Sequence, residues 1–162
     1  MATTTSETST LAYQADDGFY ERTTSWDLND FDSLTVPAGA TILGIELLID
    51  MAGNNLTKGG TYFKVNNGTS DSSAKATNED FSPFPTFSNM TVGASDDLWG
   101  LEWTPTTAND ITAKWDVSFG LGGTTAYFDF IQIRITYSVV SGGGKIILNE
   151  GRLTIKSGKV TL

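Results

Sequence analysis

The chain contains neither cysteine nor histidine. Without cysteine there is no disulfide and no thiolate metal site, although a Cys-free chain says little about compartment. Without histidine the commonest general base, the commonest metal ligand and every Ser-His or Cys-His nucleophile pair are excluded. Charge is sparse at 18% of residues, and positive charge sparser, with 10 Lys and Arg against 19 Asp and Glu. The resulting net charge of −9 argues against non-specific nucleic-acid binding by the whole chain. No run of about 18 apolar residues exists, so neither a membrane span nor a membrane partner is expected. The opening MATTTSETST has no basic segment and no apolar core, so no secretory signal is expected. Nothing in the sequence calls for a cofactor.

What remains is the material of β-structure. Hydrophobic residues make up 39% of the 162, enough for a real core, and Gly, Thr and Ser are abundant. The strongest signal is Tyr127 to Val140, YFDFIQIRITYSVV. Ile131, Ile133, Ile135, Tyr137 and Val139 alternate there with Gln132, Arg134, Thr136 and Ser138. Period-2 alternation predicts a strand with one face on a core and the other in water. Its best partner is Thr41 to Met51. There Leu43, Ile45, Leu47, Ile49 and Met51 are expected on one face, with Glu46 and Asp50 on the other. The turn Val36-Pro37-Ala38-Gly39-Ala40 delivers the chain into that strand.

Shorter strands are expected at Thr61–Asn66, with Phe63 and Val65 inward, at Ser88–Val92, and at Lys114–Phe119, with Trp115, Val117 and Phe119 inward. Thr106 to Ile111 reads as one helical turn capped by Thr106 or Thr107. Residues 67–80 read as polar and weakly structured. Pro83 and Pro85 forbid a central strand between Phe81 and Phe87. Many short strands, Gly/Pro turns and almost no helix predict an all-β chain, a jelly-roll-like antiparallel β-sandwich over residues 11–140. Residues 1–10, rich in Thr and Ser, read as a flexible or docking arm.

Beyond a glycine linker at 141–144 the sequence repeats. KIILNEG (145–151), RLTIKSG (152–158) and KVTL (159–162) superpose at a period of seven, each opening on a cation. Ile146, Leu148, Leu153, Ile155, Val160 and Leu162 would share one face. Strands of four residues are too small to be stable alone in water. This tail at 145–162 therefore needs a surface: identical copies, the edge of another sheet, or a third layer on its own domain. It is also basic. Lys145, Arg152, Lys156 and Lys159 against Glu150 give +3, which leaves −12 for residues 1–140.

Candidate ligand sites are few. Asp16-Asp17, Asp96-Asp97 and Glu79-Asp80 are acidic pairs that could offer oxygens to calcium, but solvated turn carboxylates are the plainer reading and no EF-hand spacing is present. Trp26, Trp99 and Trp103, with Tyr20, could stack on a sugar of the host surface. Leu98 and Leu101 beside the second and third tryptophans favour core packing instead. No carboxylate pair is defined well enough to argue a glycosidase.

Four segments in order, ADDGFY, LTVPAGATILGIELLID, SDDLWGLEWTPTTAND and TAYFDFIQIRITYSVV, resemble a β-sandwich domain that recurs in tailed-bacteriophage virion proteins and related prophage regions. Ala15–Tyr20, Val36–Ile49, Asp96–Asp110 and Tyr127–Tyr137 take the places of that family's "aDDGxYat" opening, "iPaGAtI.GIev" strand, "d.WG.tWtpadin" stretch and "vDyVrItVyY" closing strand. The resemblance spans residues 11–140 and leaves the tail outside it. It implies a non-enzymatic structural or adhesive module of a virion assembled in the host cytoplasm. Its partners would be other capsid or tail proteins, and its role capsid decoration or a short head or tail fibre. By analogy with other short glycine-punctuated β-repeats, the tail is expected to make the protein a homotrimer. The alternative is a carbohydrate-binding adhesin used in host adsorption.

Overall fold

The structure, a computed structural model, describes residues 2–12, 20–22, 26–29, 31, 34–54, 60–77, 81–117, 125–140, 146–149 and 152–155. In chain order the elements are β1 (Ala2–Ala12), β2 (Tyr20–Arg22), β3 (Trp26–Leu28), β4 (Thr41–Asn54), β5 (Thr61–Asn66), β6 (Lys75–Ala76), β7 (Ser88–Ala94), α1 (Pro105–Asn109), β8 (Thr112–Val117), β9 (Thr125–Val140), β10 (Ile146–Asn149) and β11 (Arg152–Ile155).

Two antiparallel sheets form the body. The first runs β1-β9-β4-β7, with β2 also paired to β9, and the second runs β3-β8-β5-β6. Because β4 covers one side of β9 along its length, β1 and β2 share the other side and act as a single interrupted strand. Counting them as one gives eight strands, paired first with last, second with seventh (β3–β8), third with sixth (β4–β7) and fourth with fifth (β5–β6). This nested pairing is that of a long hairpin rolled up on itself, the jelly roll.

The predicted seed strands sit side by side at the centre of the first sheet. Ile45 lies opposite Ile135, Leu47 opposite Ile133 and Ile49 opposite Ile131, and all six are essentially inaccessible. Phe63, Val65 and Trp115 face them from the second sheet, as the alternation predicts. Trp115 meets Phe128 edge-on at 5.3 Å, which joins the two layers. The buried apolar residues of the described core all lie between Leu28 and Ile135.

Two irregularities change the expected phase. The β4–β9 register slips between Ile42 and Gly44 and again between Asp50 and Met51. At the first slip Ile42 is buried and Leu43 only half-buried, reversing the face predicted for Leu43. At the second, Asp129 is the extra residue of β9, so the inward set changes from Ala126 and Phe128 to Ile131, Ile133 and Ile135.

Other expectations also give way. Residues 2–12 are not a free arm, since all eleven pair with β9, from Ala2 opposite Val140 to Ala12 opposite Phe130. Their threonines are β-branched and suit a strand, and the edge of β9 needed a partner. Residues 67–77 are ordered by local polar bonds. Asn66 and Asn67 side chains cap the turn at Gly68, Thr69 and Ser70, and buried Ser72 exchanges bonds with Val65. The helix is capped two to three residues earlier than expected. Thr104 is its N-cap, bonded reciprocally with Thr107, and Pro105 opens it. Asn109 at its end holds the Val36 backbone through both amide atoms, at 2.8 and 3.3 Å, which fixes the turn that feeds β4.

Candidate functional site

Among the described residues, no group of three Asp or Glu side chains gathers where a metal would sit. Asp16, Asp17, Glu79 and Asp80 lie outside the described residues. Asp96 is exposed. Asp97 is occupied by the chain itself, accepting the Trp99 backbone N–H at 2.8 Å and pairing with Lys75 at 2.8 Å.

The tryptophans do not form a platform. Trp99 is 2% exposed and its indole N–H donates to Ile45 O at 2.8 Å. It is a core residue, so a sugar-stacking role for it is corrected by burial. Trp103 is half-buried against the core and donates to Leu98 O at 3.0 Å. Trp26 lies on β3 opposite Trp115, in a different sheet from the strands that hold Trp99. The three predicted candidates are thus not brought together on one exposed face.

The tail residues fall in two parts. β10 and β11 form a separate two-stranded antiparallel sheet, with Ile146 opposite Ile155 and Leu148 opposite Leu153. These four positions share one face of the hairpin by alternation. Val160 and Leu162 lie outside the described residues.

The body carries a surface feature that the hydropathy pattern hides. On the outer face of the first sheet, cross-strand rows run Asn89–Asp50–Phe130 and Thr91–Leu48–Gln132. Asn89, Phe130, Thr91, Leu48 and Gln132 of these rows line a depression of about 340 Å³, with Asp50 between Asn89 and Phe130 in the register. Leu48 and Phe130 are half-buried there, apolar residues in the outward phase of their strands. Asp50 has one carboxylate oxygen fully buried and without a hydrogen-bond partner among the described residues. Burial, and then the nearby Asp129 carboxylate, push its pKa above the usual aspartate range. Arg134, the cation that β9 puts on this face, is drawn to Glu46 at 3.6 Å. The signal was present in the sequence as two outward-phase apolar residues, but it requires the bulge at Asp129 to put Phe130 outside. A smaller, polar depression of about 180 Å³ on the second sheet is lined by Asp27, Asn66, Asp71 and Lys114, and these side chains bond to one another.

The Asp50 shift fixes a pH dependence. A carboxyl whose folded pKa is raised costs stability once ionised, and the cost disappears as pH falls below its unfolded pKa. In a chain ending at Val140, Asp50→Asn should raise the melting midpoint at pH 7 by roughly 1–3 °C and leave it unchanged at about pH 3. Paired thermal melts test this, and an equal gain at both pH values would show that ionisation of Asp50 is not the cause.

No family model and no curated protein matches the chain. Among solved structures, a chain of the structure of infectious bursal disease virus Gx strain is similar, with 11% sequence identity and a TM-score of 0.36. The alignment covers 86% of this chain and 33% of that one, so the present chain spans about a third of its length.

Proposed function

We propose that this protein is a non-enzymatic structural component of a phage virion, exposed on the particle as a capsid decoration or a short head or tail fibre and assembled as a trimer. The observation that carries the reading is a division of labour. A jelly-roll body with its own buried core is followed, across a glycine run, by a hairpin that forms a separate two-stranded sheet too small to be stable alone. Such a hairpin gains stability when its apolar face is buried against other chains. Jelly rolls recur in viral capsid and lectin domains, which agrees with this reading without selecting it. The ordered resemblance of residues 11–140 to phage virion sandwiches is its second support. A glycan-binding role is less favoured because Trp99 is buried and Trp103 half-buried.

The test is the solution mass of the full chain and of a chain ending at Val140, by light scattering after gel filtration. The expected result is a trimer that becomes a folded monomer on truncation. Monomers in both cases, or trimers in both, would remove the assembly role of the tail.

A further inference from the structure

The outer face of the first sheet and the C-terminal hairpin are complementary in chemistry. The face offers two half-buried apolar side chains, Leu48 and Phe130, beside Asp50 and Asp129. β4 and β7 carry no Lys or Arg, and Arg134 of β9 is engaged by Glu46. The tail offers alternating aliphatic residues and four cations against one acid. An acidic patch with an apolar centre fits a basic strand with an apolar stripe, and one Asp50 carboxylate oxygen is buried with no hydrogen-bond partner among the described residues.

Chain length bears on whose tail reaches it. β9 leaves the body at Val140, and the row through Gln132 lies eight residues back along it, about 27 Å at strand spacing. A chain that reversed direction across 141–144 would bring Lys145 level with Val140. From there β10 would reach back to Asn149, only about 14 Å. With residues 141–144 spent on that reversal, its own hairpin stops roughly four residues short of the patch, level with Thr136. A neighbouring copy has no such limit.

We infer that the Leu48–Asp50–Phe130 patch of one copy receives the basic C-terminal hairpin of a second copy. This rests on the assembly role proposed above and adds its docking surface. The contact is heterologous, tail onto body, so it closes into a ring when the rotation between copies allows, as in a trimer.

The experiment uses the full chain carrying Leu48→Lys and Asp50→Lys together. Both side chains point outward, and long lysine stems tolerate such half-buried positions. The expected result is a folded protein whose assembly dissociates at least about tenfold more readily than the parent, since a favourable charge contact becomes a repulsion. Mixing it with a chain ending at Val140 should then give a heterodimer, because one partner retains the tail and the other the patch. A double variant that stays as associated as the parent, while truncation at Val140 still gives monomers, overturns this docking surface and leaves the tail's assembly role standing. Truncation that leaves the oligomer intact overturns both. If circular dichroism finds the double variant unfolded, a synthetic peptide spanning Lys145 to Leu162 is titrated calorimetrically into the chain ending at Val140. Salt-sensitive one-to-one binding supports the surface, and no heat at low salt overturns it.

Discussion

Trp99→Ala is expected to cost about 3–5 kcal/mol and to lower the melting midpoint by roughly 10 °C, a large share of the stability of a domain this size. The residue fills the core at 2% exposure, and its indole N–H reaches Ile45 O in the middle of the central strand. Its backbone has a φ of 58°, in the left-handed region that non-glycine residues seldom occupy. Two bonds hold it there, from its own N–H to Asp97 and from its indole to β4. Lys75 lies 5.2 Å from the ring centre and pairs with the same Asp97. Trp99→Phe keeps much of the volume but leaves the Ile45 carbonyl without this donor, and should cost about 1–3 kcal/mol. Trp99→Gly should be no worse than Trp99→Ala, because glycine relieves the backbone strain as it removes the last carbon. Chemical denaturation of the three variants decides the matter. A midpoint for Trp99→Ala within about 2 °C of the parent would mean that the ring is not a keystone.

The second large effect is expected at Gly44. A β-carbon there would collide with the Ser95 backbone and the Ala94 carbonyl. That turn has little room to yield. Asp97 N–H bonds to Ala94 O at 3.0 Å, and Ile45 N–H bonds to Asp97 O at 2.9 Å, so the turn is sewn to the strand it would have to leave. Gly44→Ala should cost about 2–4 kcal/mol, and Gly44→Val should leave little folded protein. The control is Gly68→Ala, at φ 84° with no atom near the added carbon, which should lose only about 1 kcal/mol. Equal losses at the two positions would mean that the close approach of β4 and the Ser95 turn contributes nothing beyond conformational freedom.

These two residues mark where reading the sequence succeeds and where it stops. The seed strands were legible because their inward residues are uniformly large and aliphatic, so burial imposes its period of two on the text. Leu43 was misplaced because a bulge beside Gly44 resets the phase, and a bulge leaves no hydropathy mark other than the glycine itself. β1 was missed because a strand of threonine and serine has no apolar alternation to read. The turns of residues 67–77 were missed because their order comes from Asn and Ser side chains bonding to nearby backbone, a chemistry that looks the same as a loose polar loop. The patch proposed for docking was half visible. Leu48 is apolar on an outward position, but Phe130 joins it only after Asp129 shifts the register. Two of the three repeat units appear as β10 and β11, since a seven-residue period survives without any tertiary information, and the third, at 159–162, lies outside the described residues.

The nested strand pairing has a consequence in time. The innermost pair, β5 with β6, joins neighbouring segments, whereas β1 must meet β9, the last strand of the body. A chain emerging from the ribosome can therefore begin at the middle of the roll, but its first strand has no partner until residues 130–140 have been made. An apolar strand kept waiting so long would be an aggregation hazard. Ala2–Ala12, ATTTSETSTLA, instead carries hydroxyl residues at seven of its eleven positions and a single large apolar one, Leu11. It keeps the backbone preference of a strand while giving other nascent chains little to stick to.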